Sequence, residues 1–338
     1  MELNNNEAYK LKNNDLLEIY RLMILAREFE MEVAKINARK HLPENPHLCV
    51  GQEAIGVGAC YKLEKQDNIM ASLRSRAANL TKGVSPNILM AGIFGKETGP
   101  SKGKYTSHHM GDKENGVLAS SLLIGSQIPI AVGAALSFKY QKKKNICLCF
   151  FGDGAANRGD FHEGLNIAAI LSLPVVFICE NNLYAIDTRI EDSIAIKDIA
   201  IRANGYGMPG IVIDGNNVLD VHYTVQKAIS RARNGKGPSL IECKTYRFRS
   251  HSERFKEDRS ESELEYWLNR CPIKKFKKFL MENGLLDKKI NLKINKNVKK
   301  EIEGAIIFAE NSPYPPKEAI FQDIYSNGYI KDGRLCMK

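Results

Sequence analysis

Residues 152–182 read GDGAANRGDFHEGLNIAAILSLPVVFICENN, and the apolar run NICLCFF at 145–151 leads into them. The run predicts a strand, Gly152-Asp153-Gly154 a tight acidic turn, the next segment a helix, and VVFICE a second strand ending at Asn181-Asn182. Twenty-six residues separate Gly154 from Asn181, which is room for a helical crossover between parallel strands. Adjacent parallel strands end on one edge, so the carboxylate of Asp153 and the amide oxygen of Asn182 are expected to meet. Two hard oxygen ligands beside a glycine turn suit Mg²⁺ carrying a diphosphate. Backbone N–H groups at the helix start can face the phosphate oxygens. Each feature has a plainer reading: Asp153 as a cap for a helix from Ala155 onward, the asparagines as a turn. Their joint position at the ends of neighbouring strands favours the ligand reading.

The pattern continues in both directions. Residues 14–37 carry apolar side chains at helical spacing after an Asn/Asp start, and GQEAIGVGACYKL is a second helix. DNIMAS reads as a strand leading to Arg74, and PNILMAGIFG as a helix. Residues 96–117 are a long polar loop, of the kind that is functional or disordered. IPIAVGAALSFKYQKK is a helix feeding the NICLCFF strand. Beyond VVFICE come a helix from Ile194, strand GIVIDG, a helix from Asn217 to Asn234 and strand SLIECKTYRF. Strand–helix alternation predicts an α/β fold, a parallel sheet with helices on both faces. The expected organisation is an N-terminal helical segment (1–45), an α/β domain (46–270) and a helical C-terminal region (271–338) packed on it, as one unit.

Composition excludes several classes. The 338 residues are 43% hydrophobic, normal for a chain with a real core. No run of about 18 apolar residues predicts a membrane span, and the start, MELNNNEAYKLKNND, has no apolar leader. The eight cysteines form no CxxC pair. Cys147, Cys149 and Cys179 fall in strands and read as small core residues in a reducing, cytoplasmic setting. The net charge of +10 is concentrated at 273–300, where ten lysines face two acids. No base-stacking aromatics are interleaved there, and Phe276, Phe279, Leu280, Leu285 and Leu286 mark an apolar helix face. A solvated helix surface is expected, not a nucleic-acid site.

The GDG-to-NN spacing resembles the thiamine diphosphate-binding motif. The fuller wording, FFGDGAANRGDFHEGLNIAA with LPVVFICENNLYAI, resembles the alpha subunit of the decarboxylating component of 2-oxo acid and acetoin dehydrogenase complexes. The likeness runs from HLCVGQEA near residue 47 to SPYPPKEAIFQDIY near 325. It implies thiamine diphosphate and Mg²⁺ as cofactors, with Asp153, Asn182 and the carbonyl of Tyr184 on the metal. By the same resemblance Arg74 and Arg247 hold the diphosphate, Gly154 and Ala155 offer backbone N–H groups, and Leu122 and Ile124 meet the aminopyrimidine through their backbone. His47, His251 and His109 match active-site positions, and His251 also borders the cofactor. An imidazole there can bind a carboxylate or move a proton. His162 is expected to pack, and His108 and His222 are given no role.

The resemblance also implies partners. The glutamate that activates the aminopyrimidine comes from a beta subunit in this family. An α2β2 assembly is therefore expected, with a ketone or 2-oxo acid substrate and a lipoyl acyltransferase as acyl acceptor. The match departs in three places. The family's YRxHG becomes Leu73-Arg74-Ser75-Arg76-Ala77, placing Arg76 where relatives carry histidine. GKGGSMH becomes GKYTSHH, with Tyr105 and Thr106 replacing two glycines. RGHS becomes Arg249-Ser250-His251-Ser252 without the usual Asp-Pro beyond it. Arg76 reads either as a site for an anionic substrate group or as a second diphosphate contact. These departures keep two alternatives open: an acyloin-type lyase or ligase without lipoyl transfer, and a cofactor-binding scaffold without catalysis.

Overall fold

A computed structural model describes residues 11–257, 259–323, 328–331 and 334–337. Its helices are α1 (Asn13–Lys40), α2 (Glu53–Cys60), α3 (Arg76–Lys82), α4 (Pro86–Ile93), α5 (Gln127–Tyr140), α6 (Gly159–Ile170), α7 (Ile190–Ser193), α8 (Val218–Arg233), α9 (Glu261–Asn269), α10 (Pro272–Glu282) and α11 (Lys288–Asn311). Its strands are β1 (Asn68–Ser72), β2 (Val117–Ser121), β3 (Cys147–Gly152), β4 (Val175–Asn181), β5 (Tyr184–Ala185), β6 (Thr188–Arg189), β7 (Gly210–Asp214), β8 (Ser239–Lys244), β9 (Gly328–Lys331) and β10 (Arg334–Met337). Six of them make one parallel sheet in the order β2-β1-β3-β4-β8-β7. The short pairs β5–β6 and β9–β10 are antiparallel.

The central strands are apolar throughout because both of their faces are covered. Leu148, Phe150, Val176 and Ile178 point into a core shared with α1, α2, α8 and α11. Their alternates Cys147, Cys149, Phe151, Val175, Phe177 and Cys179 point into a second core under α5 and α6. The seven cysteines of the core and helix interfaces (49, 60, 147, 149, 179, 243 and 271) are buried free thiols. Burial pushes the thiols of Cys60, Cys147, Cys149, Cys179 and Cys243 above their ordinary acidity range. At the C-terminal side α10 buries Phe276 and Leu280 and exposes Lys274, Lys275 and Lys278.

The sheet, its parallel direction and the two-sided covering agree with the sequence reading. Four details differ. The segment after Gly152 is a 3-10 turn, Asp153–Asn157, and α6 starts only at Gly159, so Asp153 caps no α-helix. The expected helix from Ile194 is replaced by α7 and a 3-10 stretch, Ile199–Tyr206. Ile194 and Ile199 are anchored separately in the second core rather than along one helical face. β8 ends at Lys244, before the TYRF segment, which leaves the sheet to build the site. β2, with the weak strand sequence VLASS, was not anticipated. The first ten residues, read above as lacking an apolar leader, lie outside the described residues. No helix among the described residues is long and apolar enough to cross a membrane.

Candidate cofactor and active site

The carboxyl ends of β1, β2, β3 and β4 open into a cavity of about 230 Å³. This is where open parallel sheets place ligands. Gly152 of β3 pairs in register with Glu180 of β4, so Asp153 and Asn182 emerge side by side, both buried and both lining the cavity. Tyr184 lines it as well. A Cβ on Gly154 would stand 2.8 Å from the Ala185 Cβ, so the acidic turn packs tightly against the β5–β6 hairpin. Leu183, just before β5, and Ile186, in the turn between β5 and β6, have φ 72° and 58°. Left-handed backbone is rare for a β-branched residue and marks stored strain. It turns the Ile186 carbonyl to accept from Arg247 Nη2 at 2.8 Å.

Two guanidiniums border this corner. Arg247 donates through Nε to the Asn182 amide oxygen at 3.3 Å, and its Nη1 is buried with no hydrogen-bond partner. Arg259 fixes the segment from behind: it donates to the carbonyls of Arg247 and Arg249 at 2.9 and 2.8 Å and lies over the Tyr246 ring. Arg74 donates to the carbonyls of Leu48 and His251 at 2.7 and 2.8 Å. Burial, and then the neighbouring Arg247, pulls the Arg74 guanidinium down to about 9. Burial and Arg259 pull Arg247 to about 10. Burial pushes the Asp153 carboxyl up to about 6 despite both arginines.

These features fit thiamine diphosphate and a divalent cation. An unpaired buried guanidinium nitrogen is costly to leave unmade, and a diphosphate oxygen is the partner that suits it. No group of three or more His, Cys, Asp or Glu placed to hold a metal ion occurs among the described residues. Asp153 brings a carboxylate and Asn182 an amide oxygen to this corner, hard oxygen donors of the kind that suit Mg²⁺.

The histidines divide. His251 lines the cavity. His47 stands edge-on to it with centroids 4.7 Å apart, and edge-on to His108 at 4.9 Å. His47 Nδ1 lies 2.8 Å from the Asn45 carbonyl and so carries the proton. Arg74 faces His251 Nδ1 at 3.4 Å and can only donate, which leaves the proton of that ring on Nε2. Burial is the main cause that holds these rings neutral, assisted by Arg74 at His47 and His251 and by Arg76 at His108. They are pulled to about 2, 3 and 4 for His47, His108 and His251. His109, expected in the site, instead turns its ring to the exposed Tyr105, 5.3 Å away. His108, given no role above, takes the place beside His47. His162 bonds Tyr206 at 2.5 Å, a packing position.

Arg76 reaches neither substrate space nor diphosphate. It is buried in a cage of Glu30 Oε1 (3.0 Å), Glu44 Oε1 (2.8 Å), Ser107 Oγ (3.0 Å) and the His47 carbonyl (3.0 Å). Both sequence readings of Arg76 are corrected: its charge is spent on two buried carboxylates. Tyr105 and Thr106 have no left-handed backbone, and the loop places that conformation at Lys102 and Gly103 instead.

Ile124 lines the cavity, whereas Leu122 turns its side chain to solvent beside Leu123. The sequence reading passed over five buried polar residues of the cavity wall: Gln52, Ser72, Ser121, Gln127 and Glu180. Glu180 accepts from the hydroxyls of Ser75 and Ser72 at 2.9 and 3.2 Å. Its place directly before Asn181-Asn182 was the available signal. Gln52 follows a glycine at a helix start, a pattern too common to stand out.

The dehydrogenase E1 component family model matches residues 20–318. The alpha subunit of acetoin:2,6-dichlorophenolindophenol oxidoreductase of Bacillus subtilis (strain 168) is 40% identical, covering 98% of this chain and all of the relative. The chloroplastic pyruvate dehydrogenase E1 component subunit alpha-3 of Arabidopsis thaliana is 37% identical over 98% of this chain and 80% of its own length. The 2-oxoisovalerate dehydrogenase subunit alpha of B. subtilis is 36% identical over 96% of this chain and its full length. With motif, sheet edge and paired arginines in agreement, the chain belongs to the dehydrogenase E1 component family.

Proposed function

We propose that this chain is the alpha subunit of a thiamine diphosphate- and Mg²⁺-dependent enzyme that cleaves a 2-oxo acid or an acetoin-like ketone. It works with a separate beta subunit in an α2β2 assembly and passes the acyl or aldehyde unit to an acceptor, a lipoyl group where a lipoyl acyltransferase is present. The observation that carries this reading is the convergence of Asp153 and Asn182 next to the unpaired Nη1 of Arg247.

Asp153, the Asn182 amide oxygen and the Tyr184 carbonyl hold the cation. Arg74, Arg247 and the N–H groups of Gly154 and Ala155 hold the diphosphate. When bound, the cofactor supplies the carbanion chemistry that breaks the bond next to a ketone carbonyl. His251 presents Nε2–H to the cavity, suited to hydrogen-bond a developing oxyanion or a carboxylate. His47 keeps Nε2 bare behind it, suited to accept a proton. Ile124 supplies an apolar side chain at the cavity mouth. The rim Leu122-Leu123-Ile124 is exposed and supports a partner that completes the site. A cytoplasmic setting agrees with the free thiols.

The test is co-expression with a candidate beta subunit and assay of acetoin, pyruvate and branched 2-oxo acids with 2,6-dichlorophenolindophenol as electron acceptor. Turnover that requires both thiamine diphosphate and Mg²⁺ is expected. Absence of thiamine diphosphate binding would overturn the reading, and full turnover by the lone chain would remove its beta-subunit part.

A further inference from the structure

Gln52 is 1% exposed, lines the cavity and uses only half of its amide. Its Oε1 lies 3.2 Å from Asn182 Nδ2, while its own Nε2 is buried without a partner. The orientation of both amides follows from their neighbours. Two N–H donors, Tyr184 N and Arg247 Nε, each approach the same Asn182 side-chain atom at 3.3 Å. Only an oxygen can accept both, so Nδ2 must be the Asn182 atom on the opposite side. Facing that NH₂, Gln52 must present its oxygen, and its Nε2–H₂ is left as an unspent donor.

The backbone holds Gln52 in place. Gly51 has φ +102°, and a Cβ there would stand 2.5 Å from the Tyr246 carbonyl. This close approach, open only to glycine, brings Gln52 against the segment after β8 that carries Arg247. Gln52 N then bonds the Cys49 carbonyl at 2.9 Å, and the Gln52 carbonyl receives Ile55 N at the start of α2.

We propose that Gln52 is a positioning residue of the cofactor site: its oxygen accepts from the Asn182 NH₂ and so reinforces the amide orientation that Tyr184 N and Arg247 Nε set, and its Nε2–H is a donor reserved for a diphosphate oxygen. The inference rests on the cofactor reading above. Without Gln52 the buried Asn182 NH₂ loses its acceptor, and the amide is held from one side only. A residue kept only for stability would not be left with an unpaired buried donor.

The experiment compares wild-type chain with Gln52→Met and Gln52→Glu, in complex with its beta subunit. Thiamine diphosphate with Mg²⁺ is titrated calorimetrically, and the thermal midpoint is read without ligand. Gln52→Met is expected to weaken cofactor binding roughly ten- to hundredfold, the worth of one buried hydrogen bond to a charged group. It should change the ligand-free midpoint little, since it deletes one unpaired donor, Gln52 Nε2, and strands another, Asn182 Nδ2. Gln52→Glu keeps an acceptor for Asn182 but replaces the donor with an acceptor, so its affinity also falls. Binding equal to wild type in Gln52→Met, or a lowered ligand-free midpoint with unchanged affinity, would overturn the inference while leaving the functional reading intact. A wild-type protein that binds no thiamine diphosphate would overturn both.

Discussion

Arg76 donates through Nε to Glu30 at 3.0 Å and through Nη1 to Glu44 at 2.8 Å, so one buried guanidinium ties α1 to the segment that carries His47. Removing it strands two buried carboxylates. Arg76→Met should cost about 3–5 kcal/mol of stability, read by denaturant unfolding. Arg76→Lys should recover only part of this, because an ammonium lacks the fork that serves both acids. An Arg76→Met variant as stable as wild type, with altered substrate KM instead, would restore the substrate-binding reading.

Thiamine diphosphate and Mg²⁺ should raise the thermal midpoint together. At a hundredfold excess over the dissociation constant the linkage is worth about 2.7 kcal/mol. EDTA should abolish the shift, as should Asp153→Asn, which removes the one anionic group among the proposed cation ligands. An undiminished shift in Asp153→Asn would place the cation elsewhere.

Stability should decline on acidification between about pH 6.5 and pH 4. The imidazoles of His47, His108 and His251 are neutral when folded, with values of about 2, 3 and 4. The unfolded chain takes up protons at the ordinary imidazole value of about 6.5. The unfolded state thus binds more protons across this window, and stability rises with pH. In the double variant His47→Gln, His108→Gln the slope should flatten. An unchanged slope would show that other groups cause the acid sensitivity.

Gly51→Ala should destabilise the chain by at least about 1 kcal/mol, since it adds a Cβ at positive φ. It should also weaken cofactor binding, because relief of the clash with the Tyr246 carbonyl moves Gln52 and Arg247 apart. Differential scanning calorimetry and cofactor titration report the two effects separately. Unaltered affinity would uncouple the turn from the site.

The sheet and the meeting of Asp153 with Asn182 were readable because local pattern determines them. Apolar runs bounded by GDG and NN specify two strands, and parallel pairing alone brings Asp153 to Asn182. What escaped was fixed by contacts distant in sequence. Arg76 looks like an anion binder until Glu30 and Glu44 are seen around it, and neither acid is marked by spacing. His108 and His109 are adjacent, and only the 3-10 turn at Ser107–His109 decides which ring goes inward. β2 has too few branched residues to declare itself, and takes strand form by hydrogen bonding to β1. Gln52 is silent because half an unused amide is visible only in three dimensions.

The thiols sealed between sheet and helices have a practical corollary. Cys147, Cys149, Cys179 and Cys243 lie on central strands with no exposure to solvent, so an alkylating reagent meets them only when the strands part. The modification rate at these positions is therefore a clock for opening of the protein's centre, and any slowing by bound cofactor would measure how firmly the ligand clamps the strand ends from which its site is built.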